Sequence, residues 1–245
     1  ALEKVMADEN GKKSLELSLS ETEGAKTYQL EFPAETLFKS DSSFEYKIIT
    51  KFAEVTIPSN MLASAGDKVL LSITAVDNAT LSQESQIAIG NKPVIRLNLS
   101  LDGTNIEWNN PEAPVTVAIP YTPEKDEDPE KIAVWYIDGK ENVIPVYNGR
   151  YDANAGRVIF STSHFSQYAV VYVNKTFEDI SGYPWAQRAI EVLASKGIVK
   201  GTSTTKSVYS PSLNITRADY IALLVRTLGL SAKVDENFSD VEEGD

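Results

Sequence analysis

The sequence contains no cysteine and a single histidine, and each shortage excludes a class of chemistry. Without cysteine there is no disulfide framework, zinc ribbon, iron–sulfur cluster or thiol nucleophile. One histidine cannot form a His-rich metal site, so we expect His164 to be structural. Nucleotide-binding and serine-hydrolase signatures are also missing. We expect no metal, no cofactor and no enzyme activity, although a pair of carboxylates able to hydrolyse glycosides is not excluded.

Basic residues are outnumbered, and long apolar runs are absent. The 245 residues hold 23 Lys and Arg against 35 Asp and Glu, a net charge of −12. This balance argues against nucleic-acid binding, which needs a basic surface. No run of about 18 apolar residues occurs, so we expect no membrane span. The hydrophobic content of 42% is typical of folded proteins, and the chain is long enough for two or three domains.

Both ends of the sequence look internal to a longer protein. The first residues, Ala1-Leu-Glu-Lys4, lack both Met and an apolar signal segment, and the last four, Glu242-Glu-Gly-Asp245, also look cut. We therefore expect a fragment, in which missing targeting signals carry no information about location.

Alternation of apolar and polar residues dominates residues 1–174, apart from a short start of helical composition at residues 2–8. This period of two predicts strands. Asp102-Gly103 predicts a tight hairpin, and the apolar run 132–137 predicts a central strand buried on both faces. We expect a β-rich domain with short helices at residues 1–92 and a β-sandwich at 93–174. A single core shared by both is the open alternative.

Acidic residues cluster in one predicted loop of this region, at Asp126, Glu127, Asp128 and Glu130. Their spacing is not that of a calcium-binding loop. We expect a solvated loop.

After residue 174 the period becomes helical. One predicted helix begins at Pro184 and carries Trp185 and Ile190 on its apolar face. A second begins at the capping-box pattern Thr216-Arg-Ala-Asp219 and ends at Gly229. Its predicted buried stripe consists of Ile221, Leu224, Val225 and Leu228.

A short motif repeats in this region. Phe177-Glu-Asp-Ile180 recurs 61 residues later as Phe238-Ser-Asp-Val241. Such a repeat is typical of a tandem array. We therefore expect one complete module at residues 175–245 and the start of a second at 238.

The charge changes at the same boundary. Residues 175–233 hold eight Lys and Arg against four Asp and Glu, whereas residues 1–174 have a net charge of −10. A cationic module suggests an anionic partner, and ordinary fluctuation over a short stretch is the alternative.

The C-terminal stretch resembles a surface-layer homology (SLH) module over about 60 residues, in the family's order and spacing. The matching segments are Phe177-Glu-Asp-Ile180, Pro184-Trp-Ala186, Ala189-Ile190, Lys196-Gly-Ile-Val-Lys-Gly201, Tyr209-Ser-Pro211 and Ile215-Thr-Arg-Ala-Asp-Tyr220. The usual Thr-Arg-Ala-Glu reads Thr-Arg-Ala-Asp here, which still permits the helix cap.

The resemblance implies a non-catalytic, all-α helix-loop-helix module that anchors an extracellular protein to the cell wall or S-layer of a Gram-positive-type envelope. Such modules usually come in threes, form a pseudo-trimer, and bind secondary cell-wall polysaccharide, often pyruvylated, in grooves between modules. The implied partners are this glycan and sister modules, with self-association of an isolated module as a further expectation. Carried over by motif, the implied ligand-binding residues are Arg217, Trp185, Lys200 and Gly201.

Elementary chemistry supports some of these roles better than others. The planar guanidinium of Arg217 can bind a carboxylate through two hydrogen bonds. Arg217 also lies in the predicted first turn of a helix, where the helix dipole favours an anion. Trp185 offers a flat platform for a sugar, but its place on the helical stripe favours a buried core anchor. Lys200 is equally compatible with a ligand role and a solvated one. We expect Gly201 to be structural, with a positive φ.

The preceding residues 114–173 look like the β-rich segment found before SLH modules in some large surface proteins and surface glycosidases. In the favoured interpretation, the β domains are a spacer or part of a surface layer. The alternatives are the C-terminal region of a surface polysaccharide hydrolase and an adhesion protein.

Overall fold

Two seven-stranded sheets account for the alternating part of the sequence. The computed structural model describes residues 2–7, 12–40, 42 and 44–230. The first sheet contains, in spatial order, β1 (Leu2–Ala7), β2 (Lys13–Ser18), β4 (Phe44–Ile49), β5 (Glu54–Pro58), β9 (Val115–Pro120), β13 (Arg157–Thr162) and β12 (Arg150–Asp152). Pairing is antiparallel except between β2 and β4. The helical start expected at residues 2–8 is wrong, because β1 pairs with β2 there.

The second sheet is antiparallel in every pairing that the structure describes. Its strands are, in spatial order, β11 (Val143–Val146), β10 (Ile132–Ile137), β14 (Gln167–Tyr172), β7 (Val94–Leu101), β6 (Lys68–Ala75) and β3 (Thr27–Pro33), with β8 (Thr104–Ile106) beside β7. The β7–β8 turn has positive φ at both Asp102 and Gly103, 50° and 80°, which confirms the predicted hairpin.

Helical elements are few and short. The α-helices within the described ranges are α1 (Gln83–Ile89), α2 (Pro184–Ser195) and α3 (Arg217–Leu228). Single 3₁₀ turns occupy Ala34–Thr36, Asn78–Thr80 and Pro129–Lys131. Among the described residues, no helix combines the length and apolarity needed to cross a bilayer.

One hydrophobic core joins the two sheets. Its buried side chains run from Leu17 to Val170 and come from both sheets. Strands from either side of residue 92 are neighbours in both sheets, since β5 pairs with β9 and β6 pairs with β7. The division into two separate β domains is therefore not confirmed. The arrangement matches the alternative of a shared core.

The apolar run at β10 is buried on both faces, as predicted. Ile132 and Val134 lie in the core between the sheets, whereas Ala133 and Ile137 lie in a second cluster on the outer face. Ile89 of α1 belongs to this second cluster and helps to cover the sheet. A strand with two buried faces cannot alternate with polar residues, and this explains its sequence.

Residues 175–230 form a small helical unit with its own core. The regular elements that the structure describes there are α2 and α3, joined by a loop at residues 196–216. The buried members of this core are Phe177, Ile180, Ile190, Ala194, Ile198 and Val199. The second repeat, predicted to start at 238, lies outside the described residues.

Ion pairs dock α2 onto the β-sheets. Arg188 bonds both Asp128 and Glu130, at 2.9 and 2.6 Å. Lys131 bonds Glu191 at 2.7 Å, and both side chains are largely buried. The bond from Lys131 also lowers the pKa of Glu191. Solvent weakens the exposed Arg188 pairs, and burial of charge offsets most of the attraction between Lys131 and Glu191. These contacts therefore fix the orientation of the unit more than they add to its stability.

The expected solvated loop at 126–130 is correct for the exposed Asp126 and Glu130 but not for the buried Glu127. Asp128 and Glu130 are the β-side partners of Arg188, and Glu127 is buried. Burial opposes ionisation of Glu127, but hydrogen bonds from Tyr121 and the Glu124 N–H, together with Lys92 at 3.0 Å, outweigh it and lower its pKa. Asp128 and Glu130 thus belong to an interface, and their partner Arg188 lies about 60 residues away in sequence.

Lys196 anchors the end of α2 to the second sheet. Its Nζ donates to the carbonyl oxygens of Ile132 and Gly149, both at 2.9 Å. Burial lowers the pKa of Lys196 to about 8, and nearby Glu130 partly offsets that effect. Two backbone carbonyls thus hold an ammonium group that has lost most of its water.

Two glycines let the backbone of the helical unit approach side chains of the β-region closely. Gly197 and Gly229 follow α2 and α3 with φ values of 73° and 61°. A Cβ on Gly197 would lie 2.7 Å from Pro145, and one on Gly229 would lie 3.0 Å from Asn148. Both positions therefore need glycine for conformation and for space. The helix stop predicted at Gly229 is confirmed.

Candidate functional site

The candidate site depends on a loop that Asp179 holds in place. The Asp179 carboxylate accepts hydrogen bonds from the N–H groups of Tyr209 and Ser210, at 2.8 and 2.7 Å. These bonds lower the pKa of Asp179. Ser210 has a φ of 61°, a left-handed conformation that costs free energy for a residue with a side chain. The carboxylate thus stabilises a strained loop next to the site.

The opposite wall starts at the capping box of α3. The Thr216 side chain accepts from the Asp219 N–H at 3.1 Å, and the Asp219 side chain accepts from the Thr216 N–H at 3.2 Å. The predicted capping box is confirmed, and the shorter Asp performs the task of the usual Glu. The hydrogen bonds from Thr216 lower the pKa of Asp219, so its carboxylate is already engaged.

Between these walls lies a cavity of about 490 Å³, called here the module cavity. Lys200 and Gly201 line it from the loop after α2, and Asp219 and Arg226 line it from α3. Its volume lies in the range typical of small-ligand sites. Two cations face one carboxylate that its own helix already satisfies, so the cavity favours an anionic or polar ligand.

Gly201 is structural, but the reason differs from the one expected. Its φ is not positive. A Cβ at this position would instead lie 2.7 Å from the Val208 carbonyl oxygen and 3.1 Å from the Phe177 ring. Gly201 lets the loop approach its neighbours closely and so shapes the module cavity.

Arg217 and Trp185 lie outside the lining of the module cavity. Arg217 is the first residue of α3 and is exposed, and it forms no ion pair with any residue that the structure describes. Trp185 is 86% exposed, so its expected role as a core anchor is wrong. The structure therefore groups Lys200 with Gly201 and leaves the other two candidates on the surface.

The apolar face of α3 is also exposed. The side chains predicted as a buried stripe are between 39% and 59% exposed: Ile221, Leu224, Val225 and Leu228. Leu223 packs against the unit's core instead. The spacing predicted an apolar face correctly, but a spacing cannot show whether another element covers that face.

Arg226 is a site residue that the sequence analysis missed. Its guanidinium lies 5.8 Å from the Tyr147 ring centroid and donates to the Ile198 carbonyl at 3.3 Å. It forms no salt bridge within the described residues. Its position in the last turn of α3, on the same side as Ala222, was the signal that could have found it.

His164 belongs to the β-region and shows no sign of metal binding. Its ring meets Tyr136 edge-on at 4.8 Å, and burial lowers its pKa. Within the described part of the chain, no group of three His, Asp or Glu is placed to hold a metal ion.

Comparison with known proteins identifies the helical unit. Residues 176–221 match the family model of the S-layer homology domain. This chain carries an S-layer homology domain. The match covers the Asp179-pinned loop, Lys200, Gly201 and Arg217, and it confirms the resemblance read from the motifs. Such a domain is a non-catalytic anchor, so the protein is a cell-surface protein held at the cell wall.

Three glycoside hydrolases are similar to parts of this chain. The amylopullulanase of Thermoanaerobacterium thermosulfurigenes is 34% identical over 176 residues, 71% of this chain and 9% of that protein. Endo-1,4-beta-xylanase A of Thermoanaerobacterium saccharolyticum is 44% identical, and exoglucanase XynX of Acetivibrio thermocellus is 42% identical. Both of these match over 71 residues, 29% of this chain and 6% of theirs.

The chain spans less than a tenth of the length of these relatives. The 176-residue match is much longer than the domain at 176–221, so it includes a large part of the β-sheets.

Proposed function

We propose that this chain anchors its parent protein by binding anionic, pyruvylated secondary cell-wall polysaccharide. In this proposal, Arg217, Trp185, Lys200 and Gly201 contribute to the binding surface, and residues 1–174 act as a spacer or as part of the surface layer. Residues 175–245 hold one S-layer homology module and the start of a second at 238. The chain itself is not an enzyme.

The observation that carries the proposal is the cationic module cavity beside an unpaired arginine. Lys200 and Arg226 line the cavity, and Arg217 stands exposed at the start of α3. A pyruvate ketal presents a carboxylate, which a guanidinium can bind through two parallel hydrogen bonds. The exposed Trp185 ring is free to lie against the apolar face of a sugar.

The exposed face of α3 supports a role for further modules. We propose that sister modules cover this face in the parent protein and complete the glycan-binding grooves. One module alone should then bind weakly, while an array gains affinity through completed grooves and multivalency. The same face gives the isolated chain a surface for self-association.

The test is sedimentation of the chain with purified cell-wall sacculi. The 245-residue chain is compared with a version extended by two further modules and with Arg217→Ala and Trp185→Ala forms of the extended version. We expect strong retention of the extended chain, weak retention of the single module, and loss when either residue is replaced. Lys140→Ala, on an exposed turn of the β-region, is the control. Retention that survives chemical removal of the wall polysaccharide would rule out the proposed ligand.

A second candidate is the C-terminal anchoring region of a surface polysaccharide hydrolase. The similarity to an amylopullulanase over 71% of this chain favours it. The anchor would work as described, and catalysis would reside elsewhere in the parent protein. The test is hydrolysis of pullulan, starch and xylan by the parent protein isolated from the cell surface, with the 245-residue chain assayed beside it. A parent protein without hydrolase activity would exclude this candidate.

A further inference from the structure

A second cavity lies between α3 and the β-sheets, outside the module cavity. Its volume is about 640 Å³, and we call it the sandwich cleft. The end of α3 forms one wall, with Arg226 and Leu228. The region from β11 to β13 forms the other, including Tyr147 and Arg150. No residue carried over from the S-layer homology motifs as a ligand contact lines it.

The sandwich cleft exists because the helical unit is docked in one orientation. Lys196 ties the end of α2 to β10 and to Gly149, next to the segment that forms the cleft. Gly229 lets the end of α3 approach Asn148 so closely that a Cβ would lie 3.0 Å from it. A unit on a free tether would present no such cleft.

The charge of the sandwich cleft is opposite to that of the chain. The chain has a net charge of −12, yet Arg150 and Arg226 line the cleft and none of its described lining residues is Asp or Glu. Neither arginine forms a salt bridge with another described residue. Two guanidinium groups without carboxylate partners leave their charge available to an anionic ligand.

The other lining groups match a saccharide. Tyr136 and Tyr147 bring aromatic rings to the cleft, and Thr116 and Ser163 bring hydroxyl groups. Flat apolar faces beside hydrogen-bonding groups suit a sugar ring, which has an apolar face and a polar rim. Arginine with aromatic rings and hydroxyls therefore indicates an acidic sugar more than a simple inorganic anion.

We propose that the sandwich cleft binds an acidic saccharide unit through Arg150 and Arg226. The inference rests on the proposed function, because the ligand is a further unit of the same wall polysaccharide. Arg226 lines both cavities, so one glycan chain can contact the module cavity and the sandwich cleft in succession. The β-sheets then form half of a binding site.

The direction of α3 decides which arginine matters most. Its C-terminal end borders the sandwich cleft, and unpaired carbonyl groups at a helix C-terminus disfavour an anion. A carboxylate therefore lies away from that end, nearer to Arg150 on β12. Arg150 also lies outside the S-layer homology domain, so replacing it leaves the module cavity unchanged.

The experiment is an NMR titration of the 245-residue chain with wall-polysaccharide fragments released from Thermoanaerobacterium thermosulfurigenes sacculi. The same fragments with their carboxylates reduced to alcohols serve as the neutral probe. We expect the Arg150 and Arg226 side-chain N–H signals to shift only with the acidic fragments. Arg150→Gln should weaken that binding about tenfold, the range of one charge-assisted contact. Arg96→Gln, an exposed arginine on β7 outside both cavities, should leave it unchanged.

The outcomes separate this inference from the proposed function. If Lys200→Gln weakens binding and Arg150→Gln does not, the sandwich cleft is not a site and the anchor proposal stands. If Arg150→Gln alone weakens binding, the cleft is a site and the role of the module cavity fails. If the unaltered chain shows no shifts at the highest fragment concentration, the sandwich cleft is not a site, because this chain already contains both of its arginines. The amide spectrum of each variant verifies its fold.

Discussion

At the scale of single residues, three positions of the motif at residues 177–180 have a structural role, and the side chain at the fourth is exposed. Phe177 and Ile180 are buried in the unit's core, and Asp179 pins the loop at Ser210. Glu178 is exposed. The second copy of the motif, at 238–241, keeps the aromatic residue, the Asp and an aliphatic residue and changes the exposed position. This pattern is what a second module with the same pinned loop would require.

Gly201 gives a test of how the module cavity is shaped. Gly201→Ala places a Cβ 2.7 Å from a backbone oxygen, which cannot move aside as a flexible side chain can. We expect a loss of about 1–3 kcal/mol in the free energy of unfolding, measured by urea denaturation, because overpacking forces the loop to shift. Gly182→Ala is the matched control, since a Cβ there meets nothing within 4 Å. Equal stability of the two variants would contradict this account.

Residue-level prediction from sequence succeeded where the cause is local. The capping box of Thr216 with Asp219 and the stop at Gly229 depend on a few neighbouring residues, and both are confirmed. Trp185 and the stripe of α3 failed because burial depends on what else packs there. A helical spacing shows that a face is apolar, and only the tertiary structure shows whether it is covered.

At the scale of elements, the interface between α2 and the sheets was beyond sequence analysis. Its pairs join residues about 60 positions apart, such as Lys131 with Glu191 and Arg188 with Glu130. An acidic loop and a helix with one arginine and one glutamate each look solvated on their own. Only the turn at Pro129–Lys131, which begins at the cap residue Asp128, brings the charges to the same edge.

Lys196 predicts a pH dependence for this interface. Its pKa is about 8 in the folded chain and 10.5 without structure. Between those values the unfolded chain holds the proton more strongly, so the free energy of unfolding rises with pH. We expect the difference between the unaltered chain and Lys196→Met to grow by about 1–3 kcal/mol from pH 7 to pH 10.5.

The measurement is urea denaturation of both proteins across that pH range. Lys196→Met itself should lower stability at every pH, because the carbonyls of Ile132 and Gly149 lose their donor. Other titrating groups are common to both proteins and cancel in the difference. If the difference in stability between the two proteins stays constant with pH, Lys196 keeps an ordinary pKa. If the difference shrinks as pH rises, folding raises the pKa of Lys196 instead of lowering it.

At the scale of the whole molecule, the two sheets share one core, so we expect the β-region to unfold as one unit. Strands β5 and β6 precede residue 92, and each pairs with a strand that follows it. Hydrophobic alternation predicted most strands correctly, but it carries no information about which strands become neighbours. Alternation alone therefore could not decide between a boundary at residue 92 and a shared core.

Cutting the chain tests this unity. The two pieces to be produced separately are residues 1–92 and 93–245. Each piece lacks the strands of the other piece with which its own strands pair and pack. We expect neither piece to show the dispersed NMR spectrum of a folded β-protein, and the mixture to regain it on joint refolding. The opposite result, a cooperative unfolding transition for 93–245 alone with the stability of the whole chain, would restore the two-domain division.

The exposed face of α3 predicts self-association of the isolated chain. Ile221, Leu224 and Leu228 lie on one side of a helix of 12 residues, which is about 18 Å long. Such a face buries less than a standard interface, so the association should be weak and should depend on concentration. Sedimentation velocity over a concentration series is the measurement.

We expect Leu224→Ser with Leu228→Ser to abolish the concentration dependence, because these substitutions remove apolar surface that association would bury from water. Ile87→Ser is the control, since this residue is 78% exposed but lies on α1, at the outer face of the second sheet. If the unaltered chain stays monomeric throughout, the predicted self-association through α3 is wrong.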